Sequence, residues 1–163
     1  MLDLDTTVRL LHVFADTLCG YTEYSFTPSV NTLNFGYHVT DSLPGFFTLQ
    51  GVYLSNSGQG ITYNAIGVNG ASTRSYLKCE RFADQLQTLH PDLAIFGIGI
   101  NDANVPEGDF NAELYETRYD SLIRHFRYAN PEACILFVTN NDTYYQKRYP
   151  NKNAIAVQQV MFK

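Results

Sequence analysis

The sequence lacks the features that mark several large classes of protein. It has no tryptophan and no run of lysine or arginine, and its net charge is −5 at pH 7. A nucleic-acid groove needs clustered positive charge, so no nucleic-acid partner is expected. No apolar stretch approaches the roughly 20 residues of a spanning helix, so no membrane span is expected. The opening MLDLDTTVRLL has acids where a signal peptide has bases, which leaves the compartment unknown.

Cysteine is scarce and widely spaced. The three cysteines are Cys19, Cys79 and Cys134, and no two of them form a Cys-x-x-Cys pair. This spacing disfavours a zinc site or a disulfide framework. We therefore expect no metal, and we predict that the three thiols are buried apolar groups.

The apolar share of the sequence is large enough to build a core. Hydrophobic residues make up 45% of the chain and charged residues 17%. Residues 1–58 show period-two alternation with turn-rich breaks, which predicts strands over 7–15, 32–39 and 46–54. We interpret this part as a β-rich antiparallel segment, either an insert or part of a β-sandwich.

Residues 59–163 follow a different pattern, in which apolar strands alternate with helices. Strands are predicted over 61–68, 93–98 and 135–139, and helices over 75–90, 112–129 and 153–162. The apolar stripe predicted for the middle helix consists of Leu114, Leu122, Ile123 and Phe126. Such alternation is typical of an α/β fold with a doubly wound parallel sheet, whose functional loops lie beyond the carboxyl ends of the strands.

Two of these loops carry neutral hydrogen-bond donors. Gly70 follows the first strand and can bring its backbone N–H close to a ligand, although Asn69-Gly70 is also an ordinary tight turn. Asn101 follows the second strand and has a carboxamide donor, and Asp102 could cap a turn or hold the Asn101 loop. An oxyanion is stabilised by two such donors that converge from a rigid sheet. The polar loop 139–143 after the third strand is a plain surface loop or faces a substrate.

The two donor loops resemble conserved blocks of a known enzyme family. The stretches 66–71 (IGVNGA) and 94–102 (AIFGIGIND) are similar to the second and third blocks of the SGNH (GDSL-type) hydrolases. These are esterases, lipases and carbohydrate deacetylases on a flavodoxin-like sheet. The resemblance covers residues 59–163 and implies that Gly70 and Asn101 are oxyanion-hole donors, supported by Asn69 and Asp102. It implies no cofactor, and a small-molecule or carbohydrate ester as substrate.

The other catalytic blocks of that family are not found in the sequence. Its members have a nucleophilic Ser in a Gly-Asp-Ser block and a base in an Asp-x-x-His block. None of the four histidines has an Asp three residues before it. Ser42 in Thr40-Asp41-Ser42 and Thr17 in Ala15-Asp16-Thr17 are the candidate nucleophiles, but both stretches are also typical of a turn between strands. We therefore expect an internal piece of a larger, commonly exported enzyme, inactive as the isolated chain.

Two other functions remain open. The aromatic residues of 1–58 could form a non-catalytic carbohydrate-binding module, with the α/β part as its scaffold. A nucleotide-binding domain of flavodoxin-like type is the third alternative, but the loops contain neither a Gly-x-Gly-x-x-Gly nor a Walker lysine.

Overall fold

The structure is a computed structural model that describes residues 2–3, 8–29, 32–36, 48–56, 58–145 and 149–163. The chain divides into two compact units, Met1–Asn64 and Ala65–Lys163. Each unit has its own elements. All residues of the candidate donor loops belong to the second unit.

The first unit contains short antiparallel strands. They are β1 (Leu2–Asp3), β2 (Arg9–Asp16), β3 (Tyr21–Thr27) and β4 (Asn34–Phe35). β2 and β3 form a hairpin with Asp16 opposite Tyr21, and β1 pairs with β4. The hairpin turn is closed by the Asp16 carboxylate, which accepts from the N–H groups of Leu18 at 2.9 Å and Cys19 at 2.8 Å. An Asp side chain that bonds the backbone just after it is a common way to stabilise a turn.

The strand predictions for residues 1–58 are partly wrong. β2 lies where a strand was predicted, but β3 was not predicted. Within the described residues of 32–39 only Asn34–Phe35 is strand, and 37–39 lie outside the described residues. Residues 48–54 form no strand, while 46–47 lie outside the description. Leu54 in this stretch is 73% exposed, so the apolar alternation here is not matched by a buried face.

In the second unit, the described residues form four helices and two small sheets. Its elements are α1 (Thr73–Leu77), α2 (Phe82–Leu89), β5 (Leu93–Phe96), α3 (Ala112–Ala129), β6 (Cys134–Phe137), β7 (Tyr144–Tyr145), β8 (Tyr149–Pro150) and α4 (Lys152–Met161). β5 and β6 are parallel, and β7 pairs antiparallel with β8. The unit is thus α/β, as predicted, with a parallel pair of strands between helices.

One face of β5 is buried and the other is exposed. Ala94 and Phe96 are each 4% exposed. The Phe96 ring packs edge-on against Phe126 of α3 with centroids 5.1 Å apart. Side chains alternate between the faces of a strand. Accordingly Leu93, at 52%, and Ile95, at 55%, lie on the other face and are exposed.

Helix α3 has the predicted bounds but a different buried stripe. Its buried residues are Tyr115, Tyr119, Leu122, Phe126 and Ala129, at the i, i+3, i+4 spacing of one helical face. The predicted stripe was wrong at Leu114, which is 45% exposed. The buried stripe contains Tyr115 and Tyr119 instead of Leu114. Both tyrosines can be buried because their hydroxyl groups have hydrogen-bond partners in the interior.

Two further predictions in this half were wrong in detail. Residues 61–68 form no strand, and Ile61 is 99% exposed; no described strand pairs with them, and a strand needs a partner to satisfy its backbone groups. The predicted helix 75–90 is divided into α1 and α2. The division lets Phe82 pack edge-on against Phe126, with ring centroids at 6.0 Å.

The cysteine prediction was also wrong. None of the three cysteines forms a disulfide; Cys79 and Cys134 are exposed and Cys19 is half-buried. Cys134 begins β6 on the same uncovered face as Leu93, its partner in the parallel register. Cys134 is exposed because it lies on this uncovered face, although its strand is apolar. Within the described part of the chain, no helix is long and apolar enough to cross a bilayer.

Candidate active site

The loop before α1 is a tight turn built around Gly70. The N–H of Ala71 donates to the carbonyl oxygen of Val68 at 3.0 Å, which closes a four-residue turn. Gly70 occupies the third position with φ of +78°. A positive φ at that position is the geometry of a type II turn and favours glycine. The Gly70 N–H has no hydrogen-bond acceptor among the described residues, and Gly70 is exposed.

The loop after β5 presents Asn101 to this turn. Ala103 N–H donates to Gly99 O at 2.9 Å, so the chain makes one helical turn immediately beyond the strand. The Asn101 carboxamide Nδ2 donates to the carbonyl oxygen of Ala71 at 2.8 Å. A carboxamide has two N–H donors. One of them is therefore used to join the two loops, and the second has no described partner.

Asp102 joins the same two loops by a second route. Its Oδ1 accepts from the Thr73 hydroxyl at 2.6 Å, and its Oδ2 accepts from the Thr73 N–H at 3.0 Å. Thr73 is fully buried and begins α1. The carboxylate thus satisfies a helix-terminal N–H that has no partner inside the helix. Its role as a supporting residue stays a prediction.

Two tyrosines of α3 hold the backbone just before Asn101. The hydroxyl groups of Tyr115 and Tyr119 both donate to the carbonyl oxygen of Ile98, at 2.8 and 2.7 Å. The N–H of Ile98 in turn donates to the Tyr119 hydroxyl at 3.3 Å. Burial raises the pKa of both tyrosines above the ordinary value of 10.0. For Tyr115 the charges of Tyr119 and Asp102 raise the pKa further.

Gly99 makes this arrangement sterically possible. A Cβ at this position would lie 2.6 Å from the Tyr115 hydroxyl oxygen and 2.6 Å from Val157 Cγ1. Both neighbours belong to helices of the core. Only a residue without a side chain therefore allows the loop to approach α3 and α4 this closely.

Two buried asparagines of the α4 start hold the far end of the loop. Asn151 Nδ2 donates to Ala103 O at 3.0 Å. Asn153 Nδ2 lies 2.9 Å from Val105 O and 3.3 Å from both Ala103 O and Pro106 O. Asn151 also caps α4 through its Oδ1, which accepts from Asn153 N–H at 3.0 Å. The loop that carries Asn101 is thus attached to three helices.

The third loop is attached to α4 rather than free at the surface. Asn140 O accepts from Gln158 Nε2 at 2.8 Å, and Thr143 O accepts from Asn151 N–H at 2.7 Å. Among the described residues, Asn140 Oδ1 and Thr143 Oγ1 are buried atoms without a hydrogen-bond partner.

The structure thus brings some of the predicted residues together. Asn101 and the Gly70-Ala71 turn are in direct contact, Asp102 holds the start of α1, and Asn69 is exposed in the turn. Ser42 lies outside the described residues. Thr17 lies in the hairpin turn between β2 and β3, whereas the Ser block of the family leads from a strand into a helix.

The three described histidines lie on three separate elements. His12 lies on β2, His90 ends α2 with φ of +44°, and the His125 ring packs edge-on against Phe82 at 5.9 Å. His38 lies outside the described residues. In the described ranges, no three His, Cys, Asp or Glu side chains are grouped as metal ligands.

Sequence reasoning missed five residues that support the site. They are Thr73, Tyr115, Tyr119, Asn151 and Asn153. The two tyrosines had a detectable signal, because their spacing of four places them on one face of α3. Asn151 follows Pro150 at the predicted helix start, where an N-cap is expected. The contact of Thr73 with Asp102 spans 29 positions, and no local pattern indicates it.

Comparison with models of known protein families gives a match. The model of the GDSL-like Lipase/Acylhydrolase family matches residues 34–161, which include both donor loops and the helices that hold them. Searches of curated proteins and of solved structures found no match.

Proposed function

Because the chain belongs to the GDSL-like lipase/acylhydrolase family, we propose that it provides the oxyanion site for the hydrolysis of acyl esters, and that this site is made by two donors. These are the Gly70 backbone N–H and the Asn101 carboxamide. The family has ester hydrolysis as its chemistry, and the donor assignment is our proposal for this chain. The sheet that carries the donors would be of the flavodoxin-like type, of which β5 and β6 are two strands.

The observation that supports the assignment most directly is the 2.8 Å hydrogen bond from Asn101 Nδ2 to Ala71 O. It fixes the carboxamide beside the peptide that follows Gly70, and it orients the nitrogen rather than the oxygen toward the turn, since a carbonyl only accepts. The second N–H of Asn101 and the N–H of Gly70 are then both available to a negative oxygen. Prepositioned donors of this kind need no rearrangement when charge develops.

The proposed reaction follows the serine-hydrolase scheme. A serine hydroxyl attacks the acyl carbonyl, a histidine takes the serine proton, and an aspartate orients that histidine. The tetrahedral oxyanion is held by the serine N–H together with Gly70 and Asn101. The intermediate collapses to the acyl-enzyme as the ester C–O bond breaks, and the alcohol leaves with the proton from the histidine. Water, deprotonated by the same histidine, then attacks the acyl-enzyme and releases the acid. Ser42 is kept as a candidate nucleophile, the base is not assigned, and we propose that the 163-residue chain alone shows no measurable turnover.

The proposed substrate is a small ester, and within that class an O-acetylated carbohydrate. This choice rests on analogy with the carbohydrate deacetylases among related enzymes. The polar loop 139–143 at the carboxyl end of β6 is compatible with it, because asparagine and aspartate side chains bind sugar hydroxyl groups well.

The test compares the 163-residue chain with an extended version that includes any coding sequence flanking it. Hydrolysis of an activated acetate ester is measured for each. We expect activity in the extended protein, and we expect Asn101→Ala to lower kcat by about 10²–10³. Asn104→Ala is the matched control, because this asparagine is exposed in the same loop. An unaltered rate in Asn101→Ala rejects the assignment.

A further inference from the structure

The end of β5 is bonded to side chains rather than to a third strand. β5 pairs with β6 only, among the described strands. Two residues beyond β5, both backbone polar groups of Ile98 bond to side chains of α3. Two tyrosine hydroxyls donate to the Ile98 carbonyl oxygen, and the Ile98 N–H donates to one of those hydroxyls. A carbonyl oxygen has two lone pairs, so this group is fully satisfied.

These bonds act on the backbone three residues before Asn101. Ile98 is followed by Gly99, where Tyr115 and Val157 leave no room for a Cβ, and then by the helical turn that ends with the Ala103–Gly99 hydrogen bond. The hydrogen bonds at Ile98 therefore determine the direction in which the Asn101 side chain points. Moving Ile98 by a fraction of an ångström would move Nδ2 relative to Ala71 O, a bond of 2.8 Å.

The hydroxyl groups are not required for packing alone. Tyr115 is 1% exposed and Tyr119 is 5% exposed, with ring centroids 5.1 Å apart. Phenylalanine would fill the same volume without placing a hydroxyl in the interior. Burying a hydroxyl costs free energy unless it is hydrogen-bonded. The two hydroxyls meet that condition by bonding one peptide unit of the candidate site.

We propose that Tyr115 and Tyr119 are positioning residues for the Asn101 carboxamide, acting through the backbone of Ile98. The inference rests on the proposed function in so far as Asn101 is an oxyanion donor. Neither tyrosine is assigned a contact with substrate. Their part is to fix where the donor stands before substrate arrives.

The experiment follows the side-chain N–H₂ signals of Asn101 by NMR in the full chain. The signal pair is assigned by its loss in Asn101→Asp. Tyr115→Phe and Tyr119→Phe each remove one hydroxyl, and Tyr128→Phe is the control, since Tyr128 lies on the same helix and is 66% exposed. The internal reference is Asn130, whose buried Nδ2 donates to Pro91 O at 3.2 Å.

We expect both variants to shift the Asn101 signals and to speed exchange of the bonded proton by about tenfold, the loss expected for one hydrogen bond. In both variants the Asn130 signals should match those of the wild-type protein. The spectrum of the control variant Tyr128→Phe should also match the wild-type spectrum. Equal acceleration at Asn101 and Asn130 would show general loosening and overturn the proposal, as would unchanged Asn101 signals. If one of the two variants fails to fold, the other, which keeps one hydroxyl on the Ile98 carbonyl oxygen, carries the same test.

The outcome is separable from that of the proposed function. The NMR signals report the position of the carboxamide whether or not it takes part in catalysis. In the extended enzyme, the same two variants should lower kcat while leaving KM unchanged, because only transition-state contacts are weakened. If Asn101→Ala leaves hydrolysis unaltered while the NMR effects are present, the oxyanion role fails and the positioning contact remains.

Discussion

The Asp102 carboxylate accepts two hydrogen bonds from Thr73, one from its hydroxyl at 2.6 Å and one from its backbone N–H at 3.0 Å. The pair connects the loop after β5 with the first residue of α1. Because Thr73 is fully buried, this connection is shielded from water. Hydrogen bonds to a charged acceptor are also stronger than those between neutral groups.

Thr73→Val tests this pair. Valine keeps the shape of threonine and removes the hydroxyl, so the half-buried Asp102 carboxylate loses one donor. We expect the free energy of unfolding to fall by ~1–3 kcal/mol, measured by urea denaturation. Thr88→Val is the control, because its hydroxyl makes only a 3.4 Å bond to Asp84 O at an exposed site. A similar loss in both variants would contradict the assigned importance of the Asp102–Thr73 pair.

Gly99→Ala should be far more costly than Gly97→Ala. At residue 99 the new methyl group would meet Tyr115 and Val157 at 2.6 Å, whereas at residue 97 the nearest described atom is Val138 Cβ at 4.0 Å. Overpacking of this kind costs ~1–3 kcal/mol. Thermal unfolding of the two variants checks the difference. The close approach of loop and helices is refuted if the two midpoints are lowered equally.

Gly70→Ala should be moderately destabilising for a different reason. The space around Gly70 is open, with no heavy atom within 4 Å of a built Cβ, but its φ is +78°. An alanine in this left-handed region costs roughly 1–2 kcal/mol. Gly67→Ala has equally open space without the positive φ, and it should leave the unfolding midpoint unchanged. An equal change of the unfolding midpoint in the two variants would contradict the positive φ assigned to the turn.

Asn153→Ala should loosen the far end of the donor loop. Its carboxamide is buried and donates to the carbonyl groups of Val105 and Pro106. Removal takes this donor away from partly buried carbonyl groups, at a cost of ~1–3 kcal/mol. Asn141→Ala, at an exposed position of the third loop, should have little effect. Native-state hydrogen exchange in residues 99–106 gives the local readout, and unchanged protection there would contradict the attachment.

Alkaline pH should destabilise the protein through the two buried tyrosines. Burial raises their pKa above 10.0 in the folded state. Below pH 10 the hydroxyls are neutral in both states, and their contribution is constant. Above pH 10 the unfolded chain ionises first, so the free energy of unfolding falls as the pH rises. Tyr115→Phe should show a shallower fall than the original protein, and Tyr128→Phe the same fall; identical slopes in all three would contradict the prediction.

Local signals in the sequence predicted much of the second unit. Helix α3 has the predicted bounds, because Asn111 caps its start and Asn130-Pro131 ends it. β5 and β6 follow from their apolar runs. The strand expected over 61–68 was wrong, because an apolar run indicates that a segment could be buried but not that a neighbouring strand exists to pair with it.

The candidate site divides in the same way. Gly70 and Asn101 were identified because glycine and asparagine after a buried strand have a recognisable local chemistry, and their roles stay predictions. The residues that hold the loop depend on contacts between distant positions. Ile98 and Tyr119 are 21 positions apart, and Asn151 and Ala103 are 48 apart. A local sequence pattern cannot indicate contacts between residues so far apart in the sequence, so only the folded structure reveals them.

The uncovered face of β5 and β6 has a consequence for handling the protein. Leu93, Ile95 and Leu136 are each at least half exposed there, and apolar patches of this kind promote association between copies. The net charge of −5 opposes that association by repulsion. Added salt screens the repulsion over about 10 Å at 0.1 M. Colloidal stability should therefore decline as ionic strength rises, and dilute buffer of low salt content is the favourable medium for purification.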